Sequence, residues 1–210
     1  MKLTVREYLS PDGRSYFREW LDALDIRARA RIQARVLRFE TGNLGDHKSV
    51  GGGIWEARLM FGPGIGFISG KRVARSFCFS SAVISHLNPE ISEMHGDSGT
   101  NTWKERNMAR RTKDWNEGLA QDLKNPEFAR EFLLAAIEEG ISLQHALGKV
   151  IRTMGVKEFA GRIGMESPNL LRAINPRHNP TQATINRLLN PFGLKLSLAP
   201  IGKPKRSHAA

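Results

Sequence analysis

The chain has 210 residues, 40% hydrophobic and 25% charged, which is ordinary for a soluble globular protein and gives room for one large or two small domains. Its single cysteine, Cys78, excludes an internal disulfide and cannot build a metal site alone, and no apolar run approaches the ~18 residues that span a bilayer. Net charge is +11 with a pI near 10.3, split as +4 on residues 1–107 and +7 on 108–210, which points to a polyanionic partner because neutralised phosphates release counterions.

Residues 2–9 alternate apolar and polar and predict an opening strand; with an acid at Glu7 they do not read as a secretory signal, so a cytoplasmic location is expected. Pro11-Asp12-Gly13 predicts a turn, and Ser15 caps a helix to about Leu24 with Phe17, Trp20, Leu21 and Leu24 on one face. A second helix is expected over 27–41, with Ile32, Val36 and Phe39 apolar and Arg27, Arg29, Arg31, Arg35 and Arg38 on the other face, ended by Gly42. A glycine-rich turn at 51–53 leads into a strand over Ile54–Met60. Residues 65–107 then hold seven serines, no acid before Glu90, and no sustained period, which predicts a poorly ordered linker.

Helical patterning returns over 113–123 and 126–139, the latter with Phe128, Phe132, Leu133, Ala136 and Ile137 inward. Ser142 caps a helix to about Met154, and Val156–Ile163 forms a short one. Ser167-Pro168 reads as a capped start of a helix to Ile174, Thr181 caps a last helix to about Leu189, and Leu194–Leu198 alternates like a short strand. The tail Lys203-Pro204-Lys205-Arg206 is expected to be disordered.

A helix-turn-helix needs a small residue where two short helices cross and a glycine in the turn, which Ala160 and Gly164 supply. Phe159, Ile163, Leu170 and Ile174 anchor the pair. The second helix must show polar side chains to the major groove: Asn169 and Arg172 qualify, with Asn175 just past the last turn, since arginine pairs with guanine and asparagine with adenine. Ser167 and the free amides of the helix start suit a phosphate, and Arg177 and His178 follow in a loop that suits the backbone. A helical hairpin within a bundle is the competing reading of the Ala-x-x-x-Gly spacing.

The Gly164-Met165 turn, Leu170–Ile174, Asn179-Pro180-Thr181 and Phe192-Gly193-Leu194 resemble the HigA-like antidote proteins of type II toxin–antitoxin operons, which have a Cro/repressor-type fold. The resemblance covers most of 108–210 and implies a homodimer that binds an operator inverted repeat, represses its own operon and masks a toxin.

Residues 1–64 resemble the RelE/HigB-like killer toxins through Tyr8–Gly13, Phe17–Leu21, Gly42–Lys48, Trp55–Arg58 and Gly62-Pro63-Gly64. Such toxins are small basic ribonucleases acting on ribosome-bound mRNA, and the resemblance makes Lys48 and Arg58 the retained catalytic positions. For Arg58 a solvent-facing strand charge is an equal alternative. The family pattern continues after Gly-Pro-Gly with Tyr-Arg-x-Tyr-Phe, where this chain has Ile65–Ser69. Shifting the frame by one base lets synonymous codons over 65–90 spell the missing pattern, which implies a frameshift near Gly64. It removes the strands that would pair with Ile54–Met60 and fuses the toxin remnant to an antitoxin starting at Met108.

The expected fold class is therefore α+β: a truncated RelE-like α/β part at 1–64, a frameshifted linker at 65–107, and an all-α helix-turn-helix domain at 108–210. The expected function is a DNA-binding antitoxin, an operon autorepressor and toxin neutraliser, fused to a degenerate and inactive toxin. A residual mRNA endoribonuclease, and a module that binds an intact RelE/HigB-like toxin without binding DNA, are the alternatives. No cofactor, metal or membrane partner is expected.

Overall fold

Alternation at the N-terminus gives β1 (Thr4–Tyr8), whose Val5 is fully buried, and Ser15 and Asp25 then cap two helices by accepting backbone N–H bonds. These are α1 (Tyr16–Asp22) and α2 (Ile26–Glu40). The computed structural model describes residues 3–10, 12–51, 54–61, 64–73, 76–84 and 112–198, those from 50 to 84 through their strand pairing. The fold is α+β. Five further strands follow: β2 (His47–Gly51), β3 (Ile54–Phe61), β4 (Gly64–Val73), β5 (Ser76–Ile84) and β6 (Thr112–Asp114). They form one six-stranded sheet in the order β2-β3-β4-β5-β1-β6, antiparallel except where β1 runs parallel to β5.

This sheet corrects two expectations. Within the expected linker, residues 65–73 and 76–84 are strand, because β4 and β5 pair along their length, and β3 does not lose its partners, because β2 and β4 flank it. The physical reason lies in composition: Ile65, Phe67, Ile68, Val73, Phe77, Phe79, Val83 and Ile84 are β-formers, and pairing along neighbouring strands outweighs the missing period. The rest of the expected linker, 85–107, and the expected start at Met108 lie outside the described residues, as does the tail at 203–206.

From residue 115 the chain is helical among the described residues. It forms α3 (Trp115–Asp122), α4 (Pro126–Glu138), α5 (Leu143–Met154), α6 (Val156–Arg162), α7 (Ser167–Ala173) and α8 (Gln182–Leu189), closed by a 3-10 turn at Asn190–Phe192. Asp114, Asn125, Ser142 and Thr181 cap α3, α4, α5 and α8 through their side chains. Three readings of this half change. The helix expected from 113 begins at 115, because Thr112–Asp114 pairs with Tyr8–Arg6 at the sheet edge. Ile137 is exposed (45%) because α4 turns Phe128, Phe132, Leu133 and Ala136 to the core instead. Leu194–Leu198 is not a strand; the Leu196 N–H donates to Asn186 Oδ1 at 2.7 Å and no described strand lies alongside.

The two halves share one core. Buried residues from Leu3 to Leu44 and from Trp115 to Phe192 form a single cluster, and α2 lies against α4. Nearly every residue of α2 from Ile32 to Glu40 is buried, Arg35 included, and Arg38 is half-buried. Its cations meet acids of the second half: Arg35 Nη1 lies 2.7 Å and Arg38 Nη1 3.1 Å from Glu139 Oε2. Arg18 makes a two-pronged pair with Asp122, 2.9 and 2.8 Å, which Gln33 also bonds. Arg29 stands 5.5 Å over the Phe128 ring. Glu40 accepts from Trp115 Nε1 and Asn116 Nδ2, each at 3.0 Å, and from Lys149 Nζ at 2.9 Å. The helix of arginines is thus the inner wall of a seam.

Candidate nucleic-acid interface

Charge within the second half is polarised. Residues 112–139 hold three basic and seven acidic side chains, and residues 140–198 hold eight and two. The acidic portion faces α2, and the basic portion is α5 to α8 and their loops.

Within the basic portion, α6 and α7 are joined by the turn 163–166. Gly164 stands at φ 60°, and the Met165 N–H donates to the Ala160 carbonyl at 2.9 Å, closing α6. A side chain at 164 would be strained by that φ, which explains the glycine. Ala160 is buried at the crossing, and Phe159, Leu170 and Ile174 are buried beneath it, with Ile163 packed against them. Phe159 stacks on Phe192 with ring centroids 5.8 Å apart, tying α6 to the chain after α8.

Burying Leu170, Ala173 and Ile174 leaves the opposite side of α7 to solvent, where Asn169, Leu171 and Arg172 are exposed. Exposed Arg177 and His178 follow in the loop 175–180. Asn175 is partly buried and its Oδ1 accepts the Arg177 N–H at 3.0 Å, so that oxygen shapes the loop. Ser167 is the first helical residue and does not cap; Glu166 holds the cap position with no side-chain bond, and the Leu170 N–H donates to its carbonyl at 3.0 Å. The helix starts one residue early because Pro168, which has no N–H to lose, is tolerated anywhere in the first turn. The surface therefore gathers Asn169, Arg172, Arg177 and His178, with Ser167 and Asn175 at its margins.

Lys48 and Arg58 lie apart from this surface, on the sheet. Lys48 is exposed on β2 and its register partner is Glu56, two residues before Arg58 on β3. Arg58 is in turn opposite Phe67 of β4. Two residues that patterning missed, Gln144 and Arg187, bond backbone carbonyls around α7. No sequence signal marks them, because their partners are main-chain atoms that any residue provides.

Among the described residues, no helix is long and apolar enough to cross a membrane. No family model matches the chain, and no solved structure matches it. An uncharacterized protein of Haemophilus influenzae is 49% identical over 49 residues, 23% of this chain, and the chain spans about half the length of that relative, 50%.

Proposed function

We propose that the chain is an antitoxin-type, sequence-specific DNA-binding protein of the cytoplasm that represses its own operon. In this reading 108–210 is a HigA-like helix-turn-helix domain, and the N-terminal half is a RelE/HigB-like toxin domain held inactive. The observation that carries it is α7: a helix whose inner side is buried, whose outer side shows Asn169 and Arg172, and which is entered through a tight glycine turn from α6. A recognition helix needs those features to reach base edges in the major groove. The basic excess of 140–198 supports phosphate contact beside it. A dimer through the second half would read an inverted repeat with half-sites about one helical turn apart.

Neutralisation in this reading occurs within the chain. Asp122 of α3 and Glu139, which caps the end of α4, already engage Arg18 of α1 and Arg35 and Arg38 of α2, so a separate intact toxin would have to compete with the chain's own first half.

The test is binding of the full chain to duplexes from its own promoter and to scrambled duplexes. Arg172→Ala should reduce affinity for the preferred duplex by about 1–3 kcal/mol and relax preference at one base pair per half-site. Equal loss on both duplexes would mean that α7 is not the reader.

One observation favours a second reading, a residual mRNA endoribonuclease: β3, which bears Arg58, is paired on both edges within a six-stranded sheet. Phosphodiester cleavage needs cations held in fixed geometry, which a paired strand provides and a bare one does not. Growth arrest on induction that Arg58→Ala abolishes would establish this reading, and no arrest is expected if the first half is masked.

A further inference from the structure

Helix α7 has seven residues, too few to hold its own orientation by helical cooperativity. Polar side chains from two other helices bond the chain on either side of it, the turn that enters it and the loop that leaves it. At the leading end, Arg187 of α8 donates from Nε to the Ile163 carbonyl at 2.9 Å and from Nη2 to the Gly164 carbonyl. These carbonyls end α6, where the helix dipole is negative and the last oxygens lack helical partners. A Cβ on Gly164 would stand 3.3 Å from Arg187 Nη2, so turn and guanidinium are in close approach. At the trailing end, Gln144 of α5 points Nε2 at the carbonyls of Ala173, Asn175 and His178, at 3.2, 3.3 and 2.8 Å.

We infer that Arg187 and Gln144 are positioning residues for the DNA-reading helix: they fix the angle at which α7 presents Asn169 and Arg172. The inference rests on the DNA-binding reading above. Arginine on a basic surface is ordinarily a phosphate contact, but here the two donors of one planar fork are directed at two successive carbonyls. Gln144 carries no charge, so phosphate neutralisation does not account for it. Base readout depends on bidentate geometry, and a reader that tilts loses the right base while keeping its charge near the backbone.

The test uses the full chain, Arg187→Lys and Gln144→Ala. The probes are a duplex enriched by the full chain from a random-sequence pool and its scrambled counterpart, across a salt series. Amide exchange of residues 163–178 is followed in the free proteins. Lysine keeps the charge but not the fork. Both variants should lower the preference for the enriched duplex about tenfold, the scale of a lost charge-assisted or multiply shared hydrogen bond. Binding to the scrambled duplex, the salt slope and the melting temperature should be unchanged, while amides around the turn or the loop exchange faster. Wild-type preference and exchange in Arg187→Lys overturns the role of Arg187, and the same result in Gln144→Ala overturns that of Gln144. A lowered melting temperature with uniformly faster exchange also overturns the inference, since the side chain then supports the whole fold. If the pool yields no enriched duplex, the DNA-binding reading fails, and exchange around α7 alone decides whether the two residues position it.

Discussion

Arg172 and Arg177 are five residues apart and both exposed, yet the chain around them differs in kind. Arg172 projects from a helix braced by buried Leu170 and Ile174, whereas Arg177 sits in a loop shaped by Asn175. Arg177→Ala should therefore weaken all duplexes alike and make the salt slope shallower by about one per protomer. A binding isotherm series on one scrambled duplex checks this; an unchanged slope would exclude a phosphate contact. Glu7 makes a different prediction. It is buried on β1, accepts the Ser15 hydroxyl at 3.0 Å, and burial raises its pKa above the ordinary 4.5. The folded state then binds the proton more tightly than the unfolded chain, so this group favours folding below pH 4.5 and the benefit is lost as pH rises through the raised value. Glu7→Gln should melt higher than wild type at pH 7, and the difference should close below pH 4.5. A gap that persists in acid would assign the effect to packing.

At the scale of elements, the seam between α2 and α4 is the feature with the largest consequence. The Arg35 side chain is only 7% exposed and that of Glu139 25%, so neutralising Glu139 removes an anion that stands 2.7 Å from a desolvated guanidinium. Glu139→Gln should cost about 2–3 kcal/mol in urea unfolding, and most of that loss should persist at about 1 M salt, because buried pairs are weakly screened. Arg31 and Glu138 form a longer pair, 3.4 Å, in which both side chains are about half exposed. Glu138→Gln should change stability by less than about 0.5 kcal/mol. If the two variants behave alike, the seam is held by apolar packing and its ion pairs are incidental.

For the whole molecule, the shared core predicts shared cooperativity. Trp115 is buried and bonds Glu40 of α2, its ring lies 5.0 Å from Lys149 Nζ of α5, and Lys149 also bonds Glu40, so three helices from both halves meet at one knot. Amides in α2 and in α5 should therefore open with the same free energy in native-state exchange. Opening of α5 at much lower free energy would show two independent domains. Residues 1–111 made alone should aggregate, because they would lose β6 from the edge of β1 and α4 from the face of α2. A monomer with a cooperative melt would count against the shared core.

Local chemistry wrote most helices legibly. Ser15, Ser142 and Thr181 cap helices as their positions suggest, and Phe159, Leu170 and Ile174 face inward at helical spacing, because a cap and a buried stripe are properties of adjacent residues. The exposed residues of α7 followed from the same spacing. The sequence did not reveal β4 and β5 as sheet members, since residues 65–84 show no sustained alternation and the partner that ties β5 to the first half, β1, is about seventy residues away in the chain. Nor could it show that the arginines of α2 face acids about a hundred residues away, because periodicity separates two sides of a helix without saying which partner covers the second. Local periodicity determined the elements and the exposed side of α7. Tertiary structure alone decided that the two halves share a core and that Gln144 and Arg187 close on the chain at either side of α7, because those contacts join residues whose sequences carry no mark of one another.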